Sequence, residues 1–426
     1  MNLLRGCFNL PDFAKLHILA GLDFVFLLSI VYFGNYPVKK KSAFYSVLLR
    51  LFRYLTVISL LLVTVEKSEA QKQRFQAANL LYESRVNYGF LIAHHVEMEI
   101  YNSHFPSFEF TIAQAAYGKQ QWEAFYNYPV TGVTYWNAWL GNSRDLGQAH
   151  AVFPYISFPW IKNNRNELNF RLGAGMAYLT KKFDRLDNYK FTAIGSHLNA
   201  AINLMIEYRW KPLHQLQLSA GLQLMHFSNG STKTPNYGLN IPALSAGAAF
   251  RLNKENNYIR RRIRPDLTMF EFDGRKFLEI KAGTTFAVKE TGDTDGKRYN
   301  IYAGFISATR SLDYKNKLGL CFDLSWDGSD ALLVARSNTE PYNKAELTKP
   351  GISAAYELVL SRMSFAFNLG FYIGGKDKSE GLSYYKAGIH YLITKDIFTN
   401  LTLKTHFARA DFVGIGIGYR FKALYY

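Results

Sequence analysis

Apolar and polar residues alternate with a period of two along most of this chain, and the clearest stretch is Gln215–Asn240. Leu216, Leu218, Ala220, Leu222 and Leu224 take one parity, while Gln215, Gln217, Ser219, Gly221 and Gln223 take the other. Successive side chains of a strand point to opposite faces, so this is an amphipathic strand of membrane-spanning length. Leu168, Phe170 and Leu172 oppose Glu167, Asn169 and Arg171 in the same way, as do Phe365, Phe367 and Leu369 against Ala366, Asn368 and Gly370. At the C-terminus Val413, Ile415 and Ile417 oppose Gly414, Gly416 and Gly418. The strands expected lie near 107–117, 130–140, 148–160, 166–179, 196–209, 214–227, 242–252, 277–288, 298–308, 316–326, 349–361, 364–374, 382–393 and 398–421, the last long enough for two. Residues 71–86 read as a polar lead-in.

Apolar residues outward with Gly, Asn, Glu and Arg inward predict an all-β fold, a transmembrane antiparallel β-barrel. Closure satisfies the strand edges that hydrocarbon cannot. The count allows twelve to sixteen strands, with fourteen the best number, in one barrel over 71–426 that carries the segment 215–240. A soluble β-sandwich is the competing fold and would bury the apolar face instead.

The N-terminus adds an export signal. Lys39, Lys40, Lys41, Arg50 and Arg53 precede the apolar run Leu55–Val65, and Ser68-Glu69-Ala70 follows. The expectation is a signal peptide over 39–70, cleaved before Gln71, with 1–38 an extension from a start site placed too far upstream. Mean hydropathy of −0.12 is too low for a bundle of membrane helices, but a barrel conceals its apolar face by alternation. Aromatic residues make up 16% of the chain, which suits interfacial girdles. The formal charge of +17 raises nucleic acid as a partner, but Lys and Arg fall mostly on strand ends, inward parities and loops, so none is expected. The run Arg260, Arg261, Arg262 and Arg264 sits in a connection, either as a solvated loop or against phosphorylated headgroups. With Cys7 and Cys321 as its two cysteines, the chain supports neither a disulfide framework nor a Cys/His metal site.

Candidate chemistry lies where the apolar parity of 215–224 runs on into His226 and Ser228, which therefore share the face turned to lipid. A serine hydroxyl needs an adjacent base, and the base needs a third group to fix its tautomer. Asn240, after a loop containing Pro235 and Gly238, is placed to return to the site as that third group. Backbone N–H groups around Asn229 and Gly230, with the Asn229 or Asn236 side chain, are candidate oxyanion donors. The set suits a serine esterase acting on a membrane lipid without cofactor or metal. The plainer reading is a pair of interfacial polar residues at a strand end.

The segment HFSNGSTKTPNYGLN resembles the active-site segment of the outer-membrane lipid A 3-O-deacylases, in the broader form found as bacteroidete acyloxyacyl hydrolase barrels. His226, Ser228, Asn229, Pro235, Asn236 and Gly238 carry the match. It extends upstream through Tyr88–Glu99, Tyr178–Lys190 and Ala193–Ala201, covering roughly 86–252, whereas the C-terminal strands resemble no identified family. The resemblance implies His226 as base, Ser228 as nucleophile, lipid A or another outer-membrane lipid as substrate, and residence in the outer membrane of a Gram-negative bacterium. One position departs: those deacylases carry Glu where this chain has Asn240, and Glu207 on the neighbouring strand has the inward parity. Asn at that position also resembles the outer-membrane phospholipases A, which share a His-x-Ser-Asn-Gly core. Calcium would be expected for that alternative, and no dedicated acidic cluster stands ready for it. A non-catalytic porin-like barrel is the third reading, and a homodimer is compatible with any of them. His94, His95 and His197 are read as structural or loop residues, with an accessory catalytic role the alternative.

Overall fold

A computed structural model describes residues 80–251 and 278–424, apart from 102, 117, 119, 292–295, 337–342, 377–380 and 408. The expected signal peptide, residues 1–38 and the run Arg260–Arg264 lie outside the described residues. Sixteen strands follow one another: β1 (Leu80–Phe90), β2 (His104–Ala115), β3 (Val130–Trp139), β4 (Gln148–Lys162), β5 (Asn166–Leu179), β6 (Leu198–Trp210), β7 (Leu216–Ser228), β8 (Leu239–Arg251), β9 (Leu278–Glu290), β10 (Arg298–Ser311), β11 (Asn316–Asp327), β12 (Thr348–Leu360), β13 (Met363–Tyr372), β14 (Ser383–Leu392), β15 (Ile397–His406) and β16 (Arg409–Leu424).

They form two closed antiparallel barrels of eight strands each, not one barrel of fourteen. β1 pairs with β8 from Leu81↔Arg251 to Gly89↔Ala243, sealing the first barrel, and β16 pairs with β9 to seal the second. Each of the fourteen expected segments overlaps a strand, with ends differing by up to three residues, and the span 398–421 falls on two with one turn between them. The missing strand is β1, read from sequence as a polar lead-in. Its inward residues Glu83, Arg85 and Asn87 are buried, while Tyr82, Val86, Tyr88 and Phe90 face outward. Charged inward side chains disguised the alternation.

Eight strands leave an interior just wide enough for side chains to fill. In the first barrel Arg85 pairs with Glu83 and Glu207, and Arg209 Nη2 donates to Glu207 at 2.9 Å. Arg171 meets Glu109 at 3.2 Å and lies 4.0 Å over the Tyr155 ring. An apolar cluster including Trp136, Phe153, Phe191, Met225, Phe227 and Leu239 fills the same barrel. In the second barrel Lys281 meets Glu357 at 2.5 Å and Lys289 meets Asp411 at 2.8 Å. Its interior holds a cavity of about 60 Å³. Outward residues such as Leu222, Leu244, Ile415 and Ile417 are exposed, forming the apolar surface a barrel offers to lipid.

In the first barrel the connections 91–103, 140–147, 180–197 and 229–238 gather at one end, called here the site end, while the connection 116–129 and the turns 163–165 and 211–215 lie at the other. The two barrels touch at both ends. At the far end Tyr126 Oη donates to the Val359 carbonyl at 2.7 Å, Phe125 stacks on Tyr314 at 3.8 Å, and Ile156 packs with Leu360 and Phe365. At the site end the 229–238 loop rests on β9 and β16.

Candidate functional site

The β7–β8 hairpin places the candidate residues. Its register sets His226 directly opposite Asn240, and on the other side Ile202 and Ala200 of β6 face His226 and Ser228. Met225 and Phe227 are buried inside the barrel, which turns His226 and Ser228 outward as their parity requires. His226 Nδ1 lies 2.7 Å from Asn240 Oδ1. An amide oxygen only accepts, so the imidazole donates from Nδ1 and, when neutral, keeps its lone pair on Nε2. Ser228 is half-buried on the same face, two residues on and about 7 Å away along the strand. No hydrogen bond joins its Oγ to His226 among the described residues.

Two loops hold the pair. Ile92 N donates to the Asn240 carbonyl at 2.9 Å, and His94 Nε2 lies 2.9 Å from the Tyr237 carbonyl. His94 Nδ1 lies 3.4 Å from Asn240 Nδ2, and His95 stacks on Tyr237 at 4.0 Å. His94 is thus a loop residue packed against the candidate third member, and His95 one packed on Tyr237 and on His94. His197 is held elsewhere, its Nδ1 2.7 Å from the Leu179 carbonyl. From the β5–β6 connection, Ala193 accepts a hydrogen bond from Gly238 N at 2.9 Å. In that connection the Asp184 carboxylate accepts from Leu186 N and Asp187 N at 2.9 and 3.1 Å, which holds it below the usual aspartate range and fixes the turn carrying Lys181, Lys182 and Arg185.

Asn229 departs from its expected part as an oxyanion donor. Its backbone N–H donates to Asn236 Oδ1 at 2.9 Å, and its Nδ2 donates to Ser196 Oγ and the Lys233 carbonyl at 2.9 and 2.8 Å. With both kinds of donor engaged, Asn229 shapes the loop. Gly230, at φ +61°, and the Asn236 amide nitrogen carry no such bonds among the described residues. Gly238, at φ +84°, must be glycine on two counts: the backbone is left-handed, and a Cβ there would sit 3.0 Å from His226 Cε1.

Sequence reasoning missed the second barrel's share of this site. Glu290, at the end of β9, is 5% exposed although it lies on the outer face. Its carboxylate accepts from Thr234 Oγ1 at 3.2 Å and meets Lys233 Nζ at 3.1 Å, and its N–H donates to the Ser231 carbonyl at 2.8 Å. Nothing in the spacing of Glu290 from residue 231 announces this contact.

Residues 110–249 match the family model described as Lipid A 3-O-deacylase (PagL), and residues 276–423 match that described as Acyloxyacyl hydrolase, C-terminal domain. Together the two matches take in more than half of the chain, one on each barrel. The chain belongs to the lipid A 3-O-deacylase family. This lipid A deacylase-like hydrolase accordingly resides in the outer membrane of a Gram-negative bacterium. The second match also corrects the expectation that the C-terminal strands resemble no identified family, since the residues of β9–β16 match the acyloxyacyl hydrolase C-terminal domain. No curated protein matches the chain. Among solved structures, the chain is similar to the outer membrane enzyme PagL at 12% identity, covering 39% of this chain and 97% of that one with a TM-score of 0.28. It is similar to Neisserial surface protein A at 11% identity, covering 40% and 96% with a TM-score of 0.28. A triple mutant of Rhodopseudomonas blastica porin aligns at 7% identity over 80% of this chain and 99% of that one, with a TM-score of 0.16.

Proposed function

We propose that this deacylase-family hydrolase cleaves an acyl ester of lipid A by a serine mechanism, with Ser228 as nucleophile, His226 as base and Asn240 as the residue that orients the base. The observation that carries the reading is the 2.7 Å bond between His226 Nδ1 and Asn240 Oδ1 beside a serine on the same outward face. With Nδ1 engaged, Nε2 takes the Ser228 proton as Oγ attacks the ester carbonyl. The oxyanion is met by the Gly230 N–H and the Asn236 amide. Collapse expels the alcohol, which leaves with the proton from Nε2. Water, activated by the same nitrogen, then releases the fatty acid and restores Ser228. Both side chains emerge on one face, so the mechanism calls for a Ser228 rotamer that turns Oγ toward Nε2 when the ester is bound.

Location supports the same reading. Long connections mark the outer side of such barrels and short turns the periplasmic side. The longest connections of each barrel, 180–197 and 328–347, are at the site end and the turns 163–165, 211–215 and 361–362 at the other, which supports placing the site end toward the outer leaflet, where lipid A resides. An outward site lets the acyl chain remain in hydrocarbon while its ester reaches the barrel wall. Tight side-chain filling of the first barrel runs against a porin-like channel through it.

The test is mass spectrometry of fatty acids released when the refolded protein is given lipid A and phosphatidylethanolamine together, beside Ser228→Ala. Loss of a hydroxyacyl chain from lipid A, reduced by about 10³-fold or more in the variant, is the expected result. Lysophospholipid as the product would replace lipid A with a phospholipid substrate. Undiminished hydrolysis by Ser228→Ala would overturn the mechanism, and absence of either product from a folded barrel would overturn the enzyme.

A further inference from the structure

The second barrel has no expected part in the chemistry, yet the loop that follows Ser228 is built onto it. Four kinds of contact converge there. Gly230 packs against β16 so closely that a Cβ would lie 2.3 Å from Val413 Cγ2. Ser231 Oγ donates to the Ala410 carbonyl at 2.8 Å, and the Ser231 carbonyl accepts from Glu290 N at 2.8 Å. Thr234 Oγ1 lies 3.2 Å from both Glu290 Oε1 and the Thr291 carbonyl. Lys233 Nζ pairs with Glu290 Oε2 at 3.1 Å.

Glu290 is the centre of this contact. A carboxylate on a barrel's outer face ordinarily stays solvated, and burying one costs several kcal/mol unless partners compensate. The side chain of Glu290 is 3% exposed, and the partners closest to it, Lys233 and Thr234, belong to the first barrel's loop. The loop they occupy also holds Gly230 and Asn236, the two groups left to stabilise an oxyanion. Within it, Lys233 is tied back to Asn229, whose N–H fixes Asn236 Oδ1 at 2.9 Å. A continuous set of bonds therefore leads from β9 to the donors beside Ser228.

We infer that Glu290 is a positioning residue for the hydrolytic site: the second barrel is a clamp that sets the 229–236 loop, and through it the oxyanion donors, against Ser228. The inference rests on the serine reading proposed above. Positioned donors act on the transition state more than on the bound ester, so loosening them lowers kcat and spares KM. A displacement on the order of 1 Å costs up to 10²-fold in rate.

The experiment compares full-length wild type, Glu290→Ala, Glu290→Gln and Ser231→Ala on lipid A, with Ser228→Ala as the blank and heat-modified gel mobility as the check of folding. Expected are a kcat lowered by about tenfold or more in Glu290→Ala with KM within about twofold, and recovery to within about threefold in Glu290→Gln, which still accepts from Thr234. Ser231→Ala, which removes a single tie and no buried charge, is expected to lower kcat by a few-fold with the barrel intact. Wild-type kcat in Glu290→Ala would overturn the clamp. So would equal losses in the Ala and Gln variants accompanied by loss of the folded band, with Ser231→Ala unaffected. Absence of hydrolysis in wild type, by contrast, removes the serine reading itself and is thus told apart from failure of the clamp.

Discussion

At the scale of single residues, the candidate site is a neutral relay, and that determines how it should respond to substitution. Asn240 fixes the His226 tautomer by accepting from Nδ1 at 2.7 Å, but it offers no charge to an imidazolium. Asn240→Ala should therefore lower kcat by roughly 10- to 10²-fold, less than an acidic third member would cost in a charged triad, where misplacing the tautomer costs about 10⁴. Steady-state hydrolysis of lipid A measures it, and an unchanged kcat would remove Asn240 from the mechanism. Gly238→Ala gives a second test, because its left-handed backbone and the nearby His226 ring both oppose a side chain. It should cost about 1 kcal/mol in stability and a clear loss of activity together, read by urea titration of the refolded protein and by turnover. The placement of His226 and Ser228 on one outward face, and of Asn240 within reach of His226, was legible in the sequence because parity and the pairing of successive strands are local properties. The engagement of Asn229 was not, because its partners Ser196 and Asn236 reach it through loop geometry that no period records.

At the scale of elements, strands were legible and their closure was not. Alternation identifies a strand wherever one face is apolar, so segments such as 166–179 could be bounded from sequence to the residue. Pairing of β1 with β8 is a relation between Leu81 and Arg251, and alternation is silent on which strand seals a barrel. Inward charges of the kind that hid β1 recur on β2 and β5 and give the first barrel its most testable interior. Glu109 holds Arg171 at 3.2 Å and accepts from Gln223 Nε2 at 2.6 Å, all buried. Glu109→Ala leaves the Arg171 charge without its carboxylate and should destabilise the fold by about 3–5 kcal/mol, measured as a lowered urea midpoint. A pH effect belongs to the short helix Asp330–Arg336 between β11 and β12. Burial pushes the Asp330 carboxyl up to about 7, with Asp327 adding to the rise and Lys349, 2.7 Å away, opposing it. In an unfolded chain the same group titrates near 4. Between about pH 4 and 7 the folded state thus keeps a proton that the unfolded state releases, so stability falls as pH rises through this window. Asp330→Asn should flatten that slope, as seen by comparing urea midpoints at pH 5 and pH 8; an equal slope in the variant would assign the effect to another group.

At the scale of the whole molecule, the two barrels are joined by more than their connecting chain. They meet at the far end through Tyr126 and Val359, Phe125 and Tyr314, and the cluster of Ile156, Leu360 and Phe365, and at the site end through Ser231, Thr234 and Glu290. Contacts at both ends fix a tilt as well as a position, which a single hinge could not do. The apolar part of this interface gains little from leaving lipid, because hydrocarbon is as apolar as leucine; its specificity must come from packing and from hydrogen bonds made at the rims. A protease site placed between residues 251 and 278 tests whether those contacts suffice. After cleavage the two fragments should co-elute from a sizing column in mild detergent and keep the hydrolytic rate of the intact chain. Tyr126→Phe combined with Phe125→Ala should then weaken co-elution by removing the far-end bond and stack, while leaving each barrel heat-modifiable. Fragments that part at once in the cleaved wild type would mean that the chain connection alone holds the barrels together, and the alignment of β9 with the loop after Ser228 would lose its structural basis.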